Sequence, residues 1–228
     1  MNINKKVAVI TGASRGIGEA FAGMFAERGC NLVLCARSTS DLKKNQQRLE
    51  HLGARCVSVA ADVTKKEDVK RAVQTALKTF GRIDILINNA GFAVCKPLIE
   101  TTDKDYQETV DVNVRGVFLF CREVVPVMEK QGGGIILTVS SRAGKIGYGG
   151  LSVYCGTKFA VEGLTQSLAQ EVRNTCVCTV CPGPVNTKMY RDLSPGEDYT
   201  TIDQPRDIAE RVMKILERGV KNGASYTV

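Results

Sequence analysis

Tyr154 and Lys158 stand four residues apart in the run Tyr154-Cys155-Gly156-Thr157-Lys158. On a helix, residues at i and i+4 project from one face, which sets a phenol beside an ammonium. The cation favours the phenolate and is expected to lower the tyrosine pKa, giving a proton donor and acceptor for carbonyl/alcohol chemistry near neutral pH. Ordinary helix surfaces carry the same spacing, so its meaning depends on what else the chain supplies. A second candidate lies near the N-terminus, in Thr11-Gly12-Ala13-Ser14-Arg15-Gly16-Ile17-Gly18. Its glycines allow a tight turn and close approach to a pyrophosphate, and a helix starting there offers free N–H groups and the positive end of its dipole.

The elements that must position these groups follow from the pattern of apolar residues. Short β-branched runs predict strands at Lys6–Thr11, Asn31–Ala36, Arg55–Ala60, Ile83–Asn88, Gly134–Ser140, Cys176–Cys181 and Ala224–Val228. Helical patterns lie between them, at Ile17–Arg28, Ser40–Leu52, Lys66–Phe80, Asp103–Lys130, Ser152–Arg173 and Pro205–Arg218. Strictly alternating strands and helices imply an α/β fold of the Rossmann type, a doubly wound, seven-stranded parallel sheet covered on both faces. Residues 1–228 read as a single domain, and ligands of such sheets bind at the carboxyl ends of the strands.

Composition narrows the function classes. Hydrophobic content of 43% and charged content of 24% suit a globular chain with a substantial core. The apolar run Val7–Ile10 is too short for a secretory signal, and no run approaches the ~20 residues that span a bilayer. The chain is read as cytoplasmic, with no membrane partner. A formal charge of +7 suits an anionic ligand, but the pairs Lys43-Lys44, Lys65-Lys66 and Lys70-Arg71 lack interleaved aromatics, so nucleic acid is not expected. Nine scattered cysteines include one Cys-x-x-Cys, Cys178 to Cys181. It falls on a predicted strand, where i and i+3 face opposite ways, and no second pair completes four ligands. No metal is expected. The single histidine, His51, rules out a His-based triad.

The end of the second predicted strand, Cys35-Ala36-Arg37, carries no acid to meet a ribose 2′-hydroxyl. Arg37 and Arg15 instead offer guanidinium forks for a 2′-phosphate, which favours NADP(H) over NAD. With these residues in place, the whole chain resembles the short-chain dehydrogenase/reductase family, single-domain branch. Thr11-Gly12-x-x-x-Gly16-x-Gly18, Asn88-Asn89-Ala90-Gly91, Asn113, Ser141, Tyr154-x-x-x-Lys158 and Pro182-Gly183 occur in that family's order and spacing. The resemblance implies that Tyr154 is the acid/base group, that Lys158 lowers its pKa and binds the nicotinamide ribose, and that Ser141 orients the carbonyl oxygen. Ser140 is the alternative serine, but alternation along a strand sends the two to opposite faces. By the same resemblance Asn113 anchors a water in a relay to Lys158. Gly12, Ser14, Arg15, Gly16, Ile17 and Gly18 hold the cofactor's phosphates. Asn89, Ala90 and Gly91 close the floor of the cofactor site, Asp62 and Val63 hold the adenine, and Pro182, Gly183, Val185 and Thr187 grip the carboxamide.

Forty-five residues follow Gly183, fewer than in many members of the family. The shortening falls in a substrate lid at about residues 188–204, which leaves little room for a pair of lid helices, and the chain end lacks a glycine-bearing tail. Phe92, Val94, Lys145, Tyr148, Leu151, Pro184, Met189 and Tyr190 are the candidate pocket lining, mostly apolar. The expected activity is NADPH-dependent reduction of a ketone or aldehyde to an alcohol. A β-ketoacyl carrier-protein reductase is the alternative, with Arg122, Lys130 and Arg173 as possible docking cations, although Glu171–Pro182 is about two residues short for that subfamily. A non-catalytic NADP sensor is the third reading, disfavoured because Tyr154 and Lys158 are both present. Homo-oligomerisation as dimer or tetramer is implied by resemblance, through the helices Asp103–Lys130 and Ser152–Arg173.

Overall fold

The β-branched runs become neighbouring strands of one sheet. In the computed structural model, which describes residues 2–228, the strands are β1 (Val7–Thr11), β2 (Asn31–Ala36), β3 (Cys56–Ala60), β4 (Ile85–Asn88), β5 (Gly134–Val139), β6 (Thr175–Cys181) and β7 (Ser225–Thr227). They lie in the order β3-β2-β1-β4-β5-β6-β7, every pair parallel. Parallel strands need both faces covered, and the period-two alternation supplies two apolar faces. Ala8, Ile10, Leu32 and Leu34 meet Phe21 and Phe25 of α1 (Gly16–Ala26), Leu42 and Leu49 of α2 (Thr39–His51), and Ile208 and Val212 of α8 (Pro205–Arg218). Val9, Val33, Leu86 and Ile136 meet Val69 and Val73 of α3 (Lys66–Phe80), Phe120 and Val124 of α5 (Gly116–Lys130) and Val161 of α6 (Ser152–Glu171). Among the described residues no helix is long and apolar enough to cross a membrane.

Helix ends follow local chemistry. A capping box between Thr102 and Asp105 starts α4 (Asp103–Val110), and Gly81, at φ +78°, ends α3 in the left-handed region that glycine enters without strain. The predicted helix Asp103–Lys130 is divided: a π-helical turn, Asp111–Arg115, separates α4 from α5. A one-turn widening adds no signature to the apolar period, so the sequence reads straight through it. In the lid stretch there is one short helix, α7 (Lys188–Leu193), capped by the Thr187 hydroxyl; an isolated bridge, Val185 to Asp203, closes its base.

Strand order reverses between β1 and β4, which lie side by side with Ile10 opposite Ile87. Their carboxyl ends open the crevice where such sheets bind ligands. The opposite end of the same pair is held by Asp84, only 5% exposed. Its carboxylate accepts from Val7 N at 2.9 Å, from Arg82 Nη2 at 2.6 Å and from Lys6 Nζ at 3.3 Å. Burial pushes this carboxyl up, but the donors from Arg82, Val7 and Lys6 outweigh it and hold the group below its ordinary value. A depressed folded pKa gives stability that is present above the unfolded value of ~3.9 and lost as pH falls through the folded one. Asp84→Ala should therefore cost about 2–4 kcal/mol in urea unfolding at pH 7, and its deficit should shrink below about pH 4.

Candidate active site

The glycine turn and the end of β4 are built into each other. Thr11 Oγ1 accepts from Asn89 N at 2.9 Å and Ala90 N at 3.0 Å while donating to Ile87 O at 3.3 Å. Asn89 Nδ2 returns a bond to Thr11 O at 2.9 Å. Gly12 sits at φ +65°, and a Cβ there would lie 2.9 Å from Asn89 Nδ2. At Gly18 a Cβ would collide with Gly12 O. No side chain fits at either position, so the backbone of the turn stands open in front of the first amides of α1, as a pyrophosphate requires. From the other side, buried Asn45 of α2 donates to Ala13 O at 2.8 Å. Ile17 packs on the core below, and Gly91 continues the β4 turn toward Asn113.

Outside the turn lies an open pocket of about 350 Å³ lined by Ser14, Arg15, Lys44, Asn45 and Arg48, with Asp41 and Glu19 as its acids. Glu19 is engaged by Arg48 at 3.7 Å. Arg15 and Arg37 are both exposed, and among the described residues neither has an ion-pair partner. Arg37 does not line this pocket. Asp62 Oδ1 is taken up locally, accepting from Thr64 N at 3.0 Å and Thr64 Oγ1 at 2.8 Å. Its own N–H goes to Asp68, so the carboxylate's other oxygen is what Asp62 has left for an adenine. Val63 packs at Gly116, where a Cβ would lie 2.9 Å from its methyl.

Alternation at the end of β5 sorts the two serines as expected. Ser140 is 3% exposed and points inward, whereas Ser141 caps a 3₁₀ turn, Arg142–Gly144, and stands beside Tyr154. Its Oγ accepts from Ala143 N at 3.1 Å. Arg142 N donates to Pro182 O at 2.9 Å, which docks the Pro182-Gly183 segment against the serine's turn.

Tyr154 and Lys158 share one face of α6, but their electrostatics differ from the sequence expectation. Lys158 Nζ donates to Val139 O at 2.9 Å and lies 5.5 Å from the centre of the Tyr154 ring. The ammonium thus addresses the ring and a carbonyl rather than the phenol oxygen. Burial pushes the Tyr154 hydroxyl up to about 12, with Ser141 lowering it and Cys155 raising it. Burial also carries the lysine down, to about 8, against Cys181 and Glu162. The lowered tyrosine pKa expected from the spacing is therefore corrected: desolvation dominates where the ammonium does not reach the phenol.

Asn113 lies in the π-helical turn, 1% exposed. Its amide clamps Phe92, accepting from Phe92 N and donating to Phe92 O at 2.8 Å each, and donates to Thr157 Oγ1 at 3.0 Å. Thr157 in turn donates to Tyr154 O at 2.7 Å. Asn113 thus touches α6 through Thr157, which lies between Tyr154 and Lys158. Thr11 and Thr157 lie within the glycine-turn and Tyr-x-x-x-Lys motifs, and their hydroxyls tie the site together. The sequence marks them only as a hydroxyl at a strand end and a helix hydroxyl one residue before Lys158.

The last segment folds over the site. Val185 is buried, and Thr187 lies on the glycine turn, its methyl 3.4 Å from a Cβ placed at Gly16. From α7, Met189 Cε comes within 3.7 Å of a Cβ placed at Gly91. Phe92, Val94 and Leu151 are half-buried around this opening, while Pro184 and Tyr148 are exposed. Tyr190 is drawn away from it: its hydroxyl donates to Glu197 at 2.7 Å and its ring meets Tyr199 edge-on.

A glycine turn at a topological switch point, with Ser141, Tyr154 and Lys158 at the adjoining strand end, defines an oxidoreductase acting on CH–OH and C=O groups. The profile of the short chain dehydrogenase family matches residues 6–198, and the chain belongs to that family. It is 39% identical over 208 residues to an uncharacterized oxidoreductase of Staphylococcus saprophyticus, covering 89% of this chain and 83% of that one. A 3-oxoacyl-[acyl-carrier-protein] reductase of Vibrio cholerae is 34% identical, with 93% and 90% covered. Among solved structures, a 7α-hydroxysteroid dehydrogenase complexed with NADH superposes with a TM-score of 0.93 at 27% identity, covering 100% of this chain and 94% of that one. L-sorbose reductase from Gluconobacter frateurii, complexed with NADPH and L-sorbose, gives 0.92 at 30% identity, with 100% and 97% covered.

Proposed function

We propose that this protein reduces a ketone or aldehyde to an alcohol with NADPH. The observation that carries the reading is the Lys158–Tyr154–Ser141 group at the carboxyl end of β5, with Lys158 buried and Tyr154 and Ser141 half-buried beside it. The residues fit a dinucleotide, because the turn has no room for a Cβ at Gly12 or Gly18 and free guanidinium groups stand outside it. Gly12–Gly18 would hold the phosphates, Asn89–Gly91 the floor, Val63 and Asp62 the adenine, and Pro182–Thr187 the carboxamide. Bound there, the reduced nicotinamide would supply a hydride, one proton with two electrons, to the carbonyl carbon. Ser141 holds the carbonyl oxygen. Tyr154 delivers its phenolic proton to that oxygen, completing the alcohol, and the tyrosinate regains a proton from water. Burial raises the phenol's pKa, so it is in its donor form throughout the neutral range and can give its proton to the carbonyl oxygen.

NADP specificity is supported by the missing acid at the end of β2 and by the unpaired Arg15 and Arg37. A β-ketoacyl carrier-protein substrate is the second reading, favoured by the Vibrio cholerae relative. We place homo-oligomer contacts on α5 and α6, where Phe118 and Phe159 are 44% and 48% exposed. A panel of diketones, aldehydes and an acetoacetyl thioester, run with NADPH and NADH in parallel, tests these points together. NADPH should be preferred by at least about tenfold in kcat/KM, and at least one carbonyl class should turn over. Equal use of NADH would sink the cofactor assignment, and inertness to every carbonyl would sink the reaction. Turnover of the thioester alone would select the second reading.

A further inference from the structure

One turn beyond Lys158, α6 carries a carboxylate that the reaction above does not use. Glu162 is 5% exposed. Its Oε2 accepts from Lys145 Nζ at 2.6 Å and from Thr179 Oγ1 at 3.1 Å, and its Oε1 from Cys181 Sγ at 3.2 Å. Ser225 of β7 closes the cluster, 2.7 Å from Thr179 Oγ1 and 3.3 Å from Cys181 Sγ. The Ser140 hydroxyl lies beside the carboxylate without a hydrogen bond of good geometry. Four elements meet there: α6, the turn after Ser141, β6 and β7.

The cluster stands level with the catalytic lysine. Lys158 Nζ rests on Val139 O, and Val139 pairs across the sheet with Val180. The side chains on either side of Val180, Thr179 and Cys181, are the ones that bond Glu162. Residues four apart on a helix share a face, so the Lys158 ammonium and the Glu162 carboxylate approach the β5–β6 boundary side by side. We propose that Glu162 is a positioning residue for the proton-transfer pair: its carboxylate is the counter-charge that keeps the buried Lys158 protonated, and Lys145 shares that charge from the solvent side. The proposal rests on the assignment of Tyr154 and Lys158 as that pair.

Among the described residues the surrounding charges leave no other candidate. Besides Glu162, α6 presents Tyr154 to Lys158, with Cys155 acting on Tyr154, β6 presents Cys181, and the turn after Ser141 presents Lys145, whose ammonium faces Glu162. The strand end at Thr138–Ser140, Ser225 of β7 and Asn113 of the π-helical turn are uncharged. On that turn Asp111 is bonded to Gln107 and Arg115 to Thr64 O, both at the surface. Asp105 of α4 is held by Lys96. Burial pushes Lys158 down, and Cys181 and Glu162 push it back up. The Cys181 thiol is itself raised by burial and so stays neutral in the working range. Burial also raises the Glu162 carboxyl, but Lys145 above all, with the Ser140, Ser225 and Cys181 side chains close by, holds it below its ordinary value. Glu162 is therefore the anion present when Lys158 titrates.

The test is an NMR titration of lysine Cε-labelled protein without cofactor, with Lys158→Met assigning the signal. In Glu162→Gln, which keeps the shape and removes the charge, the Lys158 pKa should fall by about one unit or more. In Lys145→Met, where Glu162 is left undivided, it should rise. In reduction assays with Glu162→Gln, the alkaline limb of kcat/KM should move to lower pH by the same shift, with about a fivefold loss near pH 8. A purely structural role would lower the melting temperature and leave the lysine titration where it was. Lys158 titrating at its wild-type value in both variants would overturn the proposal. If Glu162→Gln does not fold, Lys145→Met decides alone, since its side chain is 40% exposed and its loss is tolerable. A lysine shift in a protein that reduces no carbonyl would retire the reductase reading and leave the charge coupling standing.

Discussion

Replacing Tyr154 with Phe should cut carbonyl reduction by about 10³-fold or more, the upper range of what a positioned general acid contributes, while cofactor binding stays within a few-fold of wild type. The substitution removes one hydroxyl and little else. The ring remains beneath the Lys158 ammonium, 5.5 Å from its centre in the native protein, and the bond from Thr157 goes to the Tyr154 backbone carbonyl. Loop and helix should therefore stay in place. What disappears is the proton donor, and Ser141 does not replace it, because an ordinary serine hydroxyl is a far weaker acid than a phenol. Steady-state rates, with cofactor affinity measured by fluorescence titration, separate the two effects. Activity within tenfold of wild type would remove Tyr154 from the mechanism.

The fold was legible, and the candidate site residues could be picked out, because each is written locally. Strands announce themselves as β-branched runs, and Tyr154, Lys158 and the glycines sit at fixed spacings. What the sequence concealed depends on direction and burial. The spacing of Tyr154 and Lys158 predicts a lowered tyrosine pKa, yet the lysine amine turns to Val139 O and burial wins. Asn113 stands in a helical pattern, but the π-helical turn that aims it at Phe92 and Thr157 leaves no mark on the apolar period. Glu162 reads as a polar position near the middle of a surface helix. Only the convergence of Lys145, Thr179, Cys181 and Ser225, distant in sequence, shows it to be buried. Thr11 joins two strand ends 76 residues apart, a relation no window of sequence displays.

That junction is where the largest structural loss is expected. A Cβ at Gly18 would collide with Gly12 O and lie 2.5 Å from Asn89 Nδ2 and 2.8 Å from Gly12 C. None of these atoms is the end of a flexible chain: two belong to the backbone of the turn, and Asn89 Nδ2 is fixed by its bond to Thr11 O at 2.9 Å. Relief requires α1 to move away from the β1–β4 crevice. Gly18→Ala should then cost about 3 kcal/mol of stability, at the upper end for overpacking. It should also weaken cofactor binding by 100-fold or more, about 2.7 kcal/mol at 25 °C, because the displaced amides are those that would meet the pyrophosphate. Gly16 provides the contrast. A Cβ there meets only the Thr187 methyl, at 3.4 Å, and the cost comes from its φ of +60°, roughly 1–2 kcal/mol for a non-glycine residue. Gly16→Ala should lose stability and retain more of its affinity than Gly18→Ala. Urea midpoints and cofactor titrations on both variants check the order, and equal affinities would show that the turn's amides do not hold the phosphates.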